Sequence, residues 1–266
     1  MPREVAERIA LGMVEAWRDR VSHIEGHAIY GWDGVLVVLS NLPDDELNVA
    51  LVEREPEDPL GALSRAEWWF RSHGRRLGFE LERGRHPAVE RAARMLGLFP
   101  AVTRPAMAAA VSGIGAQRAP EGVAFRRVET VEDLSHMVDL EVEVFGTERG
   151  VAERLLDPRA LERSRIRMFL ATLDARPVAM AYVHLHEGAI GVFGVGTVER
   201  YRRRGIGTAV TAFAIAEVGE GADLAWLQPT ALGRGVYQAM GFRPVVQWQV
   251  WMLPAAARGH VPAHGA

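Results

Sequence analysis

The stretch Tyr201-Arg202-Arg203-Arg204-Gly205-Ile206-Gly207-Thr208-Ala209-Val210, YRRRGIGTAV, decides how the rest of the chain is read. Three arginines run into two glycines spaced one apart. From Gly205 to Ala216 (GIGTAVTAFAIA) the sequence is apolar on nearly every side, which predicts a buried helix beginning near Gly205. The first N–H groups of such a helix have no partner within it, and with the helix dipole they form an anion site. Glycines at 205 and 207 let an anion reach the backbone without meeting a Cβ. Arg202, Arg203 and Arg204 add charge-assisted hydrogen bonds. The segment just upstream, Gly191–Val198 (GVFGVGTV), reads as a strand whose glycines, 194 and 196, admit a bulge or a close-lying ligand. The ligand implied is a di- or polyphosphate with a long arm lying along this strand.

Other phosphate motifs fit poorly. The 266 residues include no lysine, so there is no GxxxxGK[ST] loop, no Schiff base and no lysine general base. The loop follows antiparallel strands and lacks GxGxxG, against a dinucleotide fold. An RNA-binding patch would interleave exposed aromatics with the arginines, and only Tyr201 is there. A net charge of −3 also argues against a nucleic-acid partner. The absence of cysteine excludes disulfides, thiolate metal sites and a cysteine nucleophile. Charges interrupt the first residues, unlike a signal peptide, and Ile206–Val218 is too short to span a bilayer. The expectation is a cytoplasmic protein with no membrane partner; homodimer formation stays open.

Around the opening stretch the second half of the chain has a clear rhythm. Strands are expected at Val123–Val128, Ile166–Leu173, Pro177–His186, Ala189–Val198, Asp223–Gln228 and Pro244–Leu253. Helices are expected over Thr130–Gly146, with Thr130 and Asp133 as a capping box, over Val151–Pro158, from Gly205, and over about Thr230–Met240. The first half repeats this plan. A shift of 144 positions lays Gly97 on Gly241, Pro100 on Pro244, Gly61 on Gly205 and Val35–Leu39 on Ala179–Val183. Val111–Glu121, rich in small residues, reads as a linker. The fold class is therefore α/β (α+β), as two tandem mixed-sheet units. The boundaries are 1–115, a linker at 116–121, a complete second unit at 122–254 and a disordered tail at 255–266.

Val198–Ala209 resembles the acetyl-CoA signature of the GCN5-related N-acetyltransferase (GNAT) family, Arg/Gln-x-x-Gly-x-Gly/Ala, through Arg202, Gly205 and Gly207. Gly235–Phe242 (GVYQAMGF) resembles the family's second signature, with Tyr237 four residues before Gly241-Phe242. The strand order of 122–254 is similar too. This resemblance implies acetyl-CoA as co-substrate, no metal, and transfer of an acetyl group to a primary amine by direct attack. It implies that Gly196, Thr197 and Val198 offer backbone groups to the pantetheine arm and thioester carbonyl. It implies that the amides from Arg203 to Thr208, Ile206 among them, cradle the pyrophosphate, and that Tyr237 is the general acid. Thr230 and Gly233 depart from the family's usual Asn and Ala, which leaves the contact of Thr230 with the cofactor open. Glu141, on the apolar face of the first helix, is a base candidate, with a solvated glutamate as its rival reading. His184 and His186 share a strand face without a third ligand, so packing or solvation is expected of them.

Under the 144-residue shift, Asp58-Pro59-Leu60-Gly61-Ala62-Leu63 takes the place of Arg202–Gly207 and Ala93 that of Tyr237. An acidic loop repels phosphate, and Pro59 lacks an N–H. The first half is thus expected to be a degenerate unit that shapes the structure or the acceptor cleft. The acceptor itself is not named by the sequence. The alternative function is a catalytically silent acyl-CoA-binding sensor or partner module.

Overall fold

The computed structural model describes residues 2–44, 47–115, 117–162 and 165–254; the tail expected at 255–266 lies outside the described residues. In chain order the elements are helix α1 (Pro2–Val21), strands β1 (Ala28–Trp32), β2 (Val35–Leu39) and β3 (Asn48–Val52), helix α2 (Pro59–Ser72), β4 (Gly78–Glu82), α3 (Pro87–Met95) and β5 (Phe99–Ala110). The second half continues with β6 (Val123–Arg127), α4 (Val131–Leu140), α5 (Arg149–Leu155), β7 (Ile166–Leu173), β8 (Arg176–His186) and β9 (Ala189–Thr197). It closes with α6 (Ile206–Val218), β10 (Leu224–Leu227), α7 (Arg234–Ala239) and β11 (Arg243–Met252).

Local chemistry sets these boundaries. Asp33-Gly34, Asp174-Ala175 and Glu187-Gly188 have positive φ at both positions, the geometry of two-residue turns whose twist matches the strands they join. The capping box of α4 forms as read: the Thr130 hydroxyl accepts from the Asp133 N–H, and the Asp133 carboxylate accepts from the Thr130 N–H. After α4 the helix widens into a π turn over Glu141–Phe145. The last helix departs from expectation. It starts at Arg234, not Thr230, because Thr230 holds the Gly233 N–H with both its hydroxyl and its carbonyl in a preceding turn. Glycines at 233 and 235 lower helix propensity there.

All eleven strands belong to one sheet, in the order β1-β2-β3-β4-β11-β5-β10-β9-β8-β7-β6. The 144-residue repeat is visible in it: β2, β3, α2, β4, α3 and β5 correspond to β8, β9, α6, β10, α7 and β11. The pairings mirror one another about the central β5–β11 pair. On one side β4 runs parallel to β3, on the other β10 runs parallel to β9, and the remaining neighbours are antiparallel. The last strand of each half is exchanged. Strand β11 lies between β4 and β5, and β5 lies between β11 and β10. The sheet therefore does not divide at the connection between the halves. Helix α1 crosses the junction and buries Ile9, Met13 and Trp17 with Trp226 and Trp248 in one apolar cluster drawn from both halves.

Candidate active site

Strands β9 and β10 are paired only as far as Val192 and Leu227 and then part. Just beyond, Met180 pairs with Gly196 but Tyr182 with Phe193, so β9 carries one extra residue against β8. That bulge rests on Gly194, at φ 51°; a Cβ there would collide with the Tyr182 ring. A side chain at Gly196 would come within 2.6 Å of Val144 and 2.9 Å of Phe145, so the strand and the π turn touch only because this position is glycine.

Beyond the bulge the chain turns through Arg203 (φ 61°) and Gly205 (φ 78°) into α6. No side chain caps this helix. Arg202, Arg203 and Arg204 are exposed and have no carboxylate partner among the described residues. The Arg202 Nε–H donates to the Thr197 carbonyl at 3.0 Å, tying the arginine run to the end of β9. Arg204 lies over the Tyr201 ring at 5.5 Å. The first half supplies the contrast. The equivalent helix, α2, starts at Pro59, and its cap Asp58 accepts the Gly61 N–H at 3.0 Å. A carboxylate of the chain itself caps α2, where α6 has no side-chain cap.

A cavity of about 350 Å³ opens where β9 and β10 part. From the second half it takes Glu141, Tyr182, Phe193, Gly194, Thr230 and Tyr237; from the first, Met13, Trp17, Arg20, Glu80 and Arg104. Glu141 is only 6% exposed, so the solvated reading does not hold. It accepts the Tyr182 hydroxyl at 2.7 Å and, more weakly, that of Thr147 at 3.3 Å. Burial pushes the Tyr237 phenol above its ordinary 10.0, with a hydrogen bond to Thr211 working the other way.

The structure thus brings Glu141, Tyr237 and Thr230 to one cavity, with the Arg202–Thr208 loop at the end of β9. Gly196 and Thr197 lie on that strand. Val198 is the exception: its N–H donates to Val178, its carbonyl accepts from Tyr201, and its side chain is buried. Its main-chain donor is committed to the protein.

Residues 115–224 match the family described as acetyltransferase (GNAT) domain. This part of the chain is similar to a GNAT domain. No curated protein matches the sequence. Among solved structures, a GCN5-related N-acetyltransferase from Kribbella flavida superposes with a TM-score of 0.75 at 24% identity, covering 95% of this chain and 96% of that one. A tandem GNAT protein from the clavulanic acid biosynthesis pathway gives 0.61 at 15% identity, over 82% and 77%. A GCN5-related N-acetyltransferase from Sphaerobacter thermophilus gives 0.60 at 16%, over 82% and 80%. At these identities the likeness carries the fold: two tandem GNAT-like units, of which the second, with β6 and α4, is complete. Among the described residues no group of three or more His, Asp or Glu side chains gathers as a metal site would require, and no helix is long and apolar enough to cross a membrane.

Sequence reading did not find the residues that the first half brings to the site. Met13, Trp17 and Arg20 lie on α1, which carries no motif. It also missed an ionic clamp between the halves. His184 is buried, and its ring donates to the Asp19 carboxylate at 2.7 Å; Arg165 binds the same carboxylate at 2.7 Å. Burial alone would raise the Asp19 carboxyl, but the hydrogen bonds from His184 and Arg165 outweigh it and hold the group below its ordinary 3.8. A depressed carboxyl stabilises the fold above the unfolded-state value and loses that contribution as pH falls through the folded-state value. Melting temperature followed from about pH 6 to about pH 3 should therefore fall less steeply in Asp19→Asn than in the parent protein. Parallel curves would remove the clamp from the account of acid stability.

Proposed function

We propose that the chain is an acetyl-CoA-dependent N-acetyltransferase that acetylates a primary amine by direct attack. The observation that carries this reading is the uncapped, glycine-headed start of α6 with its unpaired arginines, set beside a cavity that holds a buried carboxylate and a partly buried phenol. The equivalent helix of the first half is closed by its own aspartate, so one cofactor site per chain is proposed. The amides of Ile206, Gly207 and Thr208, with Arg202–Arg204, would hold the pyrophosphate. Gly196 and Thr197 would face the pantetheine arm, with Thr230 across from them.

Bound acetyl-CoA would supply an acetyl group activated as a thioester. Glu141 takes the proton that the amine releases as it attacks, directly or through water. It is fitted for this because both of its hydroxyl partners donate to it, which orients the carboxylate and leaves lone pairs free. Tyr237 gives its phenolic proton to the departing thiolate. Its raised pKa keeps that proton in place through the neutral and mildly alkaline range.

The test is calorimetry with acetyl-CoA beside a panel of amines assayed for released CoA. We expect binding, and release with some acceptor. Arg203→Glu combined with Arg204→Glu should weaken acetyl-CoA binding by about tenfold or more, since each charge-assisted hydrogen bond is worth about 1.5–3 kcal/mol before solvent screening. The difference should shrink in high salt. Binding without release across the whole panel would leave a silent acyl-CoA-binding module.

A further inference from the structure

The cavity walls carry more hydrogen-bond donors than the protein satisfies. Its two carboxylates are engaged. Glu141 accepts from Tyr182 and Thr147, and Glu80 accepts the Trp248 indole N–H at 2.9 Å and faces Arg104 at 3.9 Å. The donors are less well served. Arg20 makes no ion pair or hydrogen bond among the described residues; its guanidinium lies over the Trp17 ring at 5.3 Å. The Nε of Arg104 and the side-chain amide nitrogen of Gln228 are buried without a partner. All three residues line the cavity, two from the first half and one from the second. A buried donor without an acceptor is costly, so a molecule that fills this space gains most by bringing acceptor oxygens.

Resting on the acetyltransferase reading above, we propose that the acceptor is an amine that also carries a carboxylate. The carboxylate would be held by Arg20 and Arg104 of the first half, and the amine would face Glu141. The first unit, closed to the cofactor, then supplies the anion-recognising wall of the acceptor site. The remaining wall is apolar and aromatic, from Met13, Trp17 and Phe193, and the volume suits one small molecule. Polycationic acceptors are disfavoured, because Arg20 and Arg104 would repel them.

The experiment compares matched pairs, L-leucine, L-methionine and L-phenylalanine against their carboxamides. It measures CoA release and, separately, binding of each compound to the acetyl-CoA-saturated protein by calorimetry. At least one amino acid is expected to exceed its carboxamide in kcat/KM by about 10- to 100-fold, mostly through KM. In Arg104→Gln and, separately, in Arg20→Gln, that ratio should fall towards one. Two variants are used so that a folding defect in one leaves the other readable. Binding of carboxylate compounds that is lost in both variants, with no CoA release, would overturn the acetyltransferase reading and with it the acceptor role, and would keep only the carboxylate-binding wall of Arg20 and Arg104. Equal use of both members, preference for the carboxamides, an unchanged ratio in both variants, or no binding of any carboxylate compound would overturn this proposal.

Discussion

Replacing Tyr237 by phenylalanine is expected to lower kcat by about 10²- to 10⁴-fold, the usual contribution of a positioned general acid, while acetyl-CoA affinity changes only a few-fold. The substitution removes one hydroxyl and keeps the ring, whose edge-to-face contact with Phe242 at 5.9 Å centroid separation holds α7 against the sheet. Stability should therefore move little, and the loss should lie in turnover. Burial raises the phenol above its ordinary value, so the proton that the variant lacks is held by the parent chain through the neutral range. Full activity in the variant would show that the thiolate leaves without this proton and would move the acid elsewhere in the cavity.

Trp226→Ala should cost about 3–5 kcal/mol, the range for emptying a buried aromatic site. Trp226 is 1% exposed on β10. Its ring lies so close to Gly12 of α1 and Gly191 of β9 that a Cβ at either would stand 3.0 Å or less from it. It packs edge-to-face on Phe193 at 5.3 Å. The residue sits where the two halves meet, and the sheet runs through both. Urea unfolding should therefore show one transition for the parent chain, shifted as a whole in the variant. Two separate transitions, with only the later-sequence half responding, would contradict the shared core.

Most of the fold was legible because its signals are local. Strand alternation, the Thr130–Asp133 capping box and the Asp174-Ala175 turn each act over a few residues. The 144-residue repeat was legible through Gly97/Gly241 and Pro100/Pro244. What these signals do not encode is partner choice. The equivalent strands β5 and β11 lie side by side, each inserted into the other's half, and nothing within either strand states that. The site divides the same way. The Arg202–Gly207 loop and Tyr237 stand in short motifs that the sequence displays directly. Glu141 was found as a position, but its burial depends on Tyr182, distant in sequence. Arg20, Arg104 and the Asp19–His184 contact arise only when α1 and β5 fold onto the second half, so no spacing along the chain announces them.

The strand exchange also bears on how the protein is made. Ala110 pairs with Leu224 and Phe99 with Met252, so both neighbours of β5 come late in the chain. While the ribosome is still adding those segments, the emerging first half holds β4 and β5 with their shared slot vacant, two edges open to a wrong partner. The two repeats must then finish folding together, and synthesis of β11 is the event that seals the first.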